Sequence, residues 1–168
     1  MRKKVIVTKN SQIEVTKTDV KKKLNCGALF DKKQHALYKQ FSTNKNYCIE
    51  LIKYTNDKNY IMEKVNVNFT LHDALYLEKI TLQKAEQAYG IFTKAYADCI
   101  DFSAQNLPAG QYYLHRDMRL QNFVFDKNLD LKLLDIDSFE ICDTPLCDRY
   151  ISTLHEFTYL IKNFKNKG

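Results

Sequence analysis

Glycine and proline are scarce: only four glycines and two prolines stand among 168 residues. There is no low-complexity stretch and no internal repeat, so collagen-like, mucin-like and disordered chains are excluded. No apolar run approaches the roughly 18 residues of a membrane-spanning helix, and no membrane partner is expected. The amino terminus, Met1-Arg2-Lys3-Lys4, carries charge but no long apolar stretch or cleavage site follows it, so it does not read as a secretion signal. A soluble, cytoplasmic protein is the expectation. The sequence also lacks any CxxC pair. Its five cysteines, Cys26, Cys48, Cys99, Cys142 and Cys147, are an odd number with no zinc or disulfide spacing. Cys142 and Cys147 are close in sequence, but in a chain without an export signal reduced thiols are expected.

What is present fits a folded globular unit. With 45% hydrophobic and 27% charged side chains, the chain suits one domain, or two small lobes sharing a cleft. A chain of this length buries roughly 68–70% of its unfolded surface and needs no disulfide or metal to fold. The net charge of +6 raises a nucleic-acid partner, but 26 basic residues are interspersed with 20 acidic ones. Only Lys21-Lys22-Lys23 forms a run. A solvated face is the better reading, and nucleic acid is not expected as a partner.

The first 65 residues read mostly as strands. Val5-Ile6-Val7 and Ile13-Glu14-Val15-Thr16 flank a turn at Asn10-Ser11, and Val20 to Leu24 makes a third strand. A helix is expected from Asp31 to Gln40, with Ala36, Leu37, Tyr38 and Phe41 on its apolar side. Strands at Cys48 to Ile52 and Tyr60 to Met62 follow, joined through Thr55 to Asn59. From about Thr70 the pattern is helical. Ala85, Ala88, Tyr89, Phe92, Ala95, Tyr96 and Cys99 recur at three- and four-residue spacing, which predicts one long amphipathic helix from Thr81 to Ala104. Leu107-Pro108-Ala109-Gly110 ends it. Phe123-Val124-Phe125 and Leu131 to Leu134 bracket a second hairpin, and Asp148 to about Phe164 is again helical. A β-rich first part and a helical second part predict a bilobal α+β fold with a cleft.

One stretch carries chemistry. His115-Arg116-Asp117-Met118-Arg119-Leu120-Gln121-Asn122 is H-R-D-x-x-x-x-N in full, and Asp135 closes the strand Leu131-Lys132-Leu133-Leu134 thirteen residues after Asn122. Four fixed letters arise by chance on the order of one time in a thousand in a chain this long. The segment resembles the catalytic loop and metal-binding aspartate of the protein kinase-like superfamily. That resemblance implies a protein kinase-like fold, with a small β-rich lobe and hinge over residues 1–65 and a truncated, mainly helical lobe over 66–168.

The resemblance also implies roles. Phosphoryl transfer needs positioning and charge neutralisation more than covalent help. Asp117 is expected to orient the acceptor hydroxyl and take its proton, while Asn122 and Asp135 offer oxygens to Mg²⁺, with Asp137 as a second candidate ligand. His115 and Arg116 are expected to steady the loop, Arg116 by pairing with a local carboxylate, with a phosphate on the short activation segment as the alternative partner. Asp148 looks like the buried aspartate that holds the loop backbone from the next helix. Tyr60 to Val65 is similar to the strand and hinge that meet adenine, with backbone atoms near Glu63 to Val65 binding ATP, and Thr70-Leu71 to the start of the helix beyond. Val20 to Leu24 occupies the place of the strand with the phosphate-binding lysine. Alternation favours Lys22 if Val20 and Leu24 face the cleft; Lys21, Lys23 and Lys17 remain candidates.

The departures are plain. The first turn has no glycine, and the first helix has Gln34, with Asp31 a turn earlier, where the lysine's glutamate partner is expected. The metal aspartate sits in Asp135-Ile136-Asp137 instead of D-F-G, and no A-P-E follows. The layout is similar to atypical, lipopolysaccharide-type and aminoglycoside- or choline-type kinases, although the arginine of H-R-D favours protein kinases. The leading expectation is therefore an ATP- and Mg²⁺-dependent phosphotransferase acting on a protein serine or threonine. A small-molecule or sugar kinase and a catalytically weak pseudokinase acting as a binding module are the alternatives. The expected partners are a nucleotide and a hydroxyl acceptor.

Overall fold

The computed structural model describes residues 4–9, 11–25 and 30–165. The chain divides into two compact units, Met1–Val65 and Asn66–Gly168.

The first unit is an antiparallel sheet with one helix. Strands β1 (Lys4–Val7), β2 (Ser11–Val15), β3 (Asp19–Leu24), β4 (Leu51–Asn56) and β5 (Asn59–Glu63) lie in the order β1-β2-β3-β5-β4. The first hairpin closes where Thr8 donates its N–H to Ser11 O (2.8 Å); Asn10, placed in that turn by the sequence, lies outside the described residues, as does Cys26. The helix α1 (Lys32–Ser42) starts at an Asp31 cap. Asp31 Oδ1 accepts from Gln34 N at 2.7 Å, and Gln34 Oε1 accepts from Asp31 N at 2.9 Å. Each side chain thus satisfies a backbone donor that a helix start leaves open. Tyr38 and Phe41 are buried and the Tyr38 hydroxyl donates to Ile49 O (2.8 Å). Ala36, assigned to the apolar side from sequence, faces solvent. The strand expected at Cys48 starts instead at Leu51 and runs to Asn56, with register shifts against β5.

The second unit contains β6 (Val67–Thr70), α2 (Leu71–Tyr76), α3 (Leu82–Asn106), β7 (Tyr112–His115), β8 (Phe123–Asp126), β9 (Leu131–Leu133), β10 (Phe139–Cys142) and α4 (Asp148–Lys165). Thr81 caps α3, accepting from Lys84 N at 3.2 Å. The helix buries Ala85, Ala88, Phe92, Ala95, Cys99, Phe102 and Ser103, the stripe that its three- and four-residue spacing demands. Phe92 packs its ring against Phe123, Tyr150 and Phe157, tying α3 to β8 and α4. Burying such a ring contributes about 1.5–3 kcal/mol. Gly110 takes φ +83° in the turn after α3, a conformation open to glycine at no steric cost.

Two small sheets then present the loops. β7 pairs with β10, His115 opposite Phe139, and β8 stands between β6 and β9. Ser103 fastens β7 to α3: its Oγ donates to Cys99 O (2.6 Å) and accepts from Tyr113 N (2.7 Å). β6, β7 and β10 were not expected from sequence. No helix among the described residues is long and apolar enough to cross a membrane.

Candidate active site

Two loops meet at the ends of these short strands. The first runs from β7 through Arg116–Arg119 into a 3-10 turn at Leu120–Asn122; the second runs from β9 through Leu134 and Asp135 into a 3-10 turn at Ile136–Ser138. Backbone bonds join them: Arg116 N donates to Ser138 O (2.9 Å), and Leu134 N to Asn122 O (2.8 Å).

His115 adds a side-chain tie. Its Nδ1 is 3.3 Å from Asp117 N, and its Nε2 is 3.0 Å from Leu134 O. A backbone N–H only donates and a carbonyl only accepts, so Nδ1 is the acceptor and Nε2 carries the hydrogen. That is the neutral tautomer. Burial holds the imidazole pKa below 6.5, outweighing the hydrogen bond to Leu134 and the nearby carboxylates, which act in the other direction. The ring also meets Phe139 edge-on at 4.9 Å.

Asp117 is three-quarters buried by its side chain and held from several directions. Arg119 grips it with two bonds, Nε to Oδ1 at 2.8 Å and Nη2 to Oδ2 at 2.6 Å. Asn122 Nδ2 donates to Asp117 Oδ2 (2.9 Å) and to Asp117 O (2.8 Å). Arg149 Nε, from α4, is 3.7 Å from Oδ1. Burial pushes the Asp117 carboxyl up, but the bonds from Arg119 and Asn122, with the Arg119 charge, more than offset it and hold the group below the ordinary carboxylate range. It is a fixed, ionised acceptor.

Asn122 is oriented by the same bonds. Both partners of its Nδ2 are oxygens that only accept here, so the amide nitrogen faces Asp117 and Oδ1 is turned away as an acceptor. Asp135 has φ +57°, in the left-handed region that Asp and Asn tolerate best among side-chain-bearing residues. One amide oxygen and one carboxylate are the hard donors Mg²⁺ takes, with phosphate and water completing its shell. Among the described residues no three His, Cys, Asp or Glu side chains form a self-sufficient metal cluster. The donor set fits a nucleotide-borne Mg²⁺.

Arg116 is exposed, with Nε 3.4 Å from Glu140 Oε1 and Nη1 3.5 Å from Cys142 Sγ. Asp148 requires a correction: it is not buried beneath the loop but exposed in the first turn of α4, where a carboxylate suits the helix dipole. The residue that reaches the loop backbone is buried Cys147, with Sγ 3.7 Å from Arg116 O. Sequence reasoning also missed Arg119 and Arg149. The arginine two residues past Asp117 was a readable signal, whereas Arg149 had none because its approach depends on where α4 packs.

The remaining candidates belong to the first unit. Lys22 is 6% exposed while Lys21 and Lys23 are open to solvent, so alternation places Lys22 on the face of Leu24. Glu63 ends β5 with its N–H donated to Glu50 O (2.9 Å), and Val65 follows, half-buried. Gln34 and Asp31 are engaged with each other in the α1 cap.

No model of a protein family and no curated protein matches the chain. Solved structures do. The kinase PK-1 of the Cydia pomonella granulovirus superposes with a TM-score of 0.59 at 14% identity, covering 82% of this chain and 53% of its own. A choline/ethanolamine kinase family protein from Mesorhizobium loti gives a TM-score of 0.59 at 10% identity, covering 99% of this chain and 70% of its own. The chain thus spans about half the length of the granulovirus kinase. The likeness defines the fold: α+β and protein kinase-like, β-rich in the first unit and mainly helical in the second, as the sequence predicted.

Proposed function

We propose that the chain is an ATP- and Mg²⁺-dependent phosphotransferase that moves the γ-phosphoryl group to a hydroxyl, with a protein serine or threonine as acceptor. The observation that carries this reading is the single hydrogen-bonded assembly of Asp117 and Asn122, joined through His115 and Leu134 to the loop of Asp135. In the reaction the bond from the γ-phosphorus to the β,γ-bridging oxygen breaks and the acceptor oxygen bonds to phosphorus. The hydroxyl proton passes to Asp117 and ADP leaves. Asp117 orients the hydroxyl, and its low basicity suits a proton taken late, when the oxygen is already bonding. Asn122 and Asp135 would hold Mg²⁺, which supplies neutralising charge at the phosphate oxygens. Lys22 is the phosphate-binding lysine, and backbone atoms near Glu63 and Val65 receive the adenine.

The Cydia pomonella neighbour is a kinase, and the Mesorhizobium loti neighbour belongs to a choline/ethanolamine kinase family; both support phosphoryl transfer to a hydroxyl. A pseudokinase is the second reading, favoured by one observation: the α1 position where the resemblance expects a glutamate holds Gln34, an amide whose Oε1 accepts from Asp31 N in the helix cap. Nucleotide binding is tested by thermal melts with ATP plus Mg²⁺ against either alone. A ligand at a hundred times its Kd stabilises by about 2.7 kcal/mol. A shift only with both present supports the site; no shift removes the kinase reading. Transfer of γ-label to protein or sugar then separates kinase from pseudokinase.

A further inference from the structure

Asp117 does not need Arg149. Its two oxygens already receive three short bonds, two from Arg119 and one from Asn122, all between 2.6 and 2.9 Å. Arg149 approaches at 3.7 Å, too long for a hydrogen bond, and contributes charge alone. Its side chain is 53% exposed, and a guanidinium carries five N–H donors in a planar fork suited to carboxylates and phosphates. One carboxylate therefore faces two guanidiniums, of which only Arg119 is hydrogen-bonded to it. The Asp135 charge also acts on Arg119, strengthening that guanidinium's hold on its proton, but in the proposed mechanism that carboxylate is given over to Mg²⁺. Arg149 stands on α4, outside the two loops that supply the nucleotide's ligands.

Resting on the kinase reading, we infer that Arg149 binds a negative charge on the acceptor, so that the substrate class is a hydroxyl compound bearing an anionic group next to the reacting hydroxyl. The second guanidinium then selects substrates while Arg119 keeps Asp117 in place. A cationic acceptor meets repulsion from both. The anionic group has two possible sources, an acidic peptide segment or a phosphorylated small molecule, and its chemistry at Arg149 is the same in each.

The test uses the full chain with ATP and Mg²⁺, and measures kcat and KM for two sets of acceptors. One is a serine peptide flanked by glutamates, alanines or lysines; the other is a hexose with and without a phosphate. The anionic member of at least one set is expected to exceed its neutral counterpart about tenfold in kcat/KM. Arg149→Glu should cut that preference about fivefold through the acceptor KM, the upper range for a half-exposed ion pair, with the KM for ATP unmoved. Arg149→Lys keeps the charge and should retain most of it. A preference confined to the peptide set identifies a protein acceptor, and one confined to the hexose set a small molecule. Equal turnover of neutral, anionic and cationic acceptors overturns the inference alone, as does an unchanged preference in Arg149→Glu. No transfer to any acceptor overturns the kinase reading and this inference with it.

Discussion

His115 Nε2 stands 3.0 Å from the carbonyl oxygen of Leu134, so the residue that opens the H-R-D loop is fastened to the residue that precedes Asp135. The same ring accepts from Asp117 N. One neutral imidazole therefore fixes both the proposed base and the loop of the proposed metal ligand. A protonated ring would point a second N–H at the Asp117 amide, and the tie to Asp117 would be lost.

The pH dependence follows from that geometry. The folded His115 pKa is depressed below 6.5, so the unfolded chain takes up a proton first as pH falls. Its contribution is fully present above about pH 6.5 and declines as pH drops through the interval down to the folded value. His35 is shifted the same way by burial and by Lys39. Melting temperature followed from pH 8 to 5 should be flat at first and then fall. His115→Gln in a His35→Gln background should flatten that decline relative to His35→Gln alone. Equal slopes in the two backgrounds would contradict the buried neutral tautomer.

Asp135 makes a second separation possible, between strain and charge. Asparagine is well tolerated at φ +57°, so Asp135→Asn should leave the melting temperature close to that of the parent. Alanine at the same position should cost about 1–2 kcal/mol through backbone strain. Calorimetry on Asp135→Asn should show loss of the Mg²⁺-dependent part of ATP affinity, with the Mg²⁺-independent part retained. Unchanged metal-dependent affinity would move the ligand role to Asp137.

The lysine run gives a positional test. Lys22 is buried on the Leu24 face and its two neighbours are exposed. Lys22→Ala should weaken ATP binding roughly tenfold, the scale of one charge-assisted phosphate contact at about 1.5 kcal/mol, whereas Lys21→Ala and Lys23→Ala should change it less than twofold. Equal small effects at all three positions would leave the run as a solvated face.

How much of this was legible depended on how local each signal was. The α3 stripe repeats within one helix, and the β8–β9 hairpin needs only a four-residue connection, so both were readable. Lys22 followed from alternation within one strand. The β7–β10 pair joins Tyr112–His115 to Phe139–Cys142 across more than twenty residues, and the β6–β8 pair spans a longer gap. Such pairings leave no short-range period, and each strand has only four residues. Within the site, the motif letters marked Asp117, Asn122 and Asp135, but not the contacts made around them. The buried support beneath the loop comes from Cys147, one position before the expected Asp148, because the first turn of α4 directs that aspartate to solvent. Arg149 shows the same limit: its approach to Asp117 depends on the packing of α4 and leaves no trace in local sequence.

The central claim is that Asp117 serves as the base of a phosphoryl transfer, and Asp117→Asn tests it most directly. The substitution keeps the side chain's size and one accepting oxygen for Arg119, so the fold and ATP binding should persist. Loss of a general base costs ~10²–10⁴ in rate. Phosphoryl transfer and ATP affinity measured side by side in parent and variant should therefore show transfer falling by at least a hundredfold with affinity nearly unchanged. Transfer at the parental rate in Asp117→Asn would contradict the account.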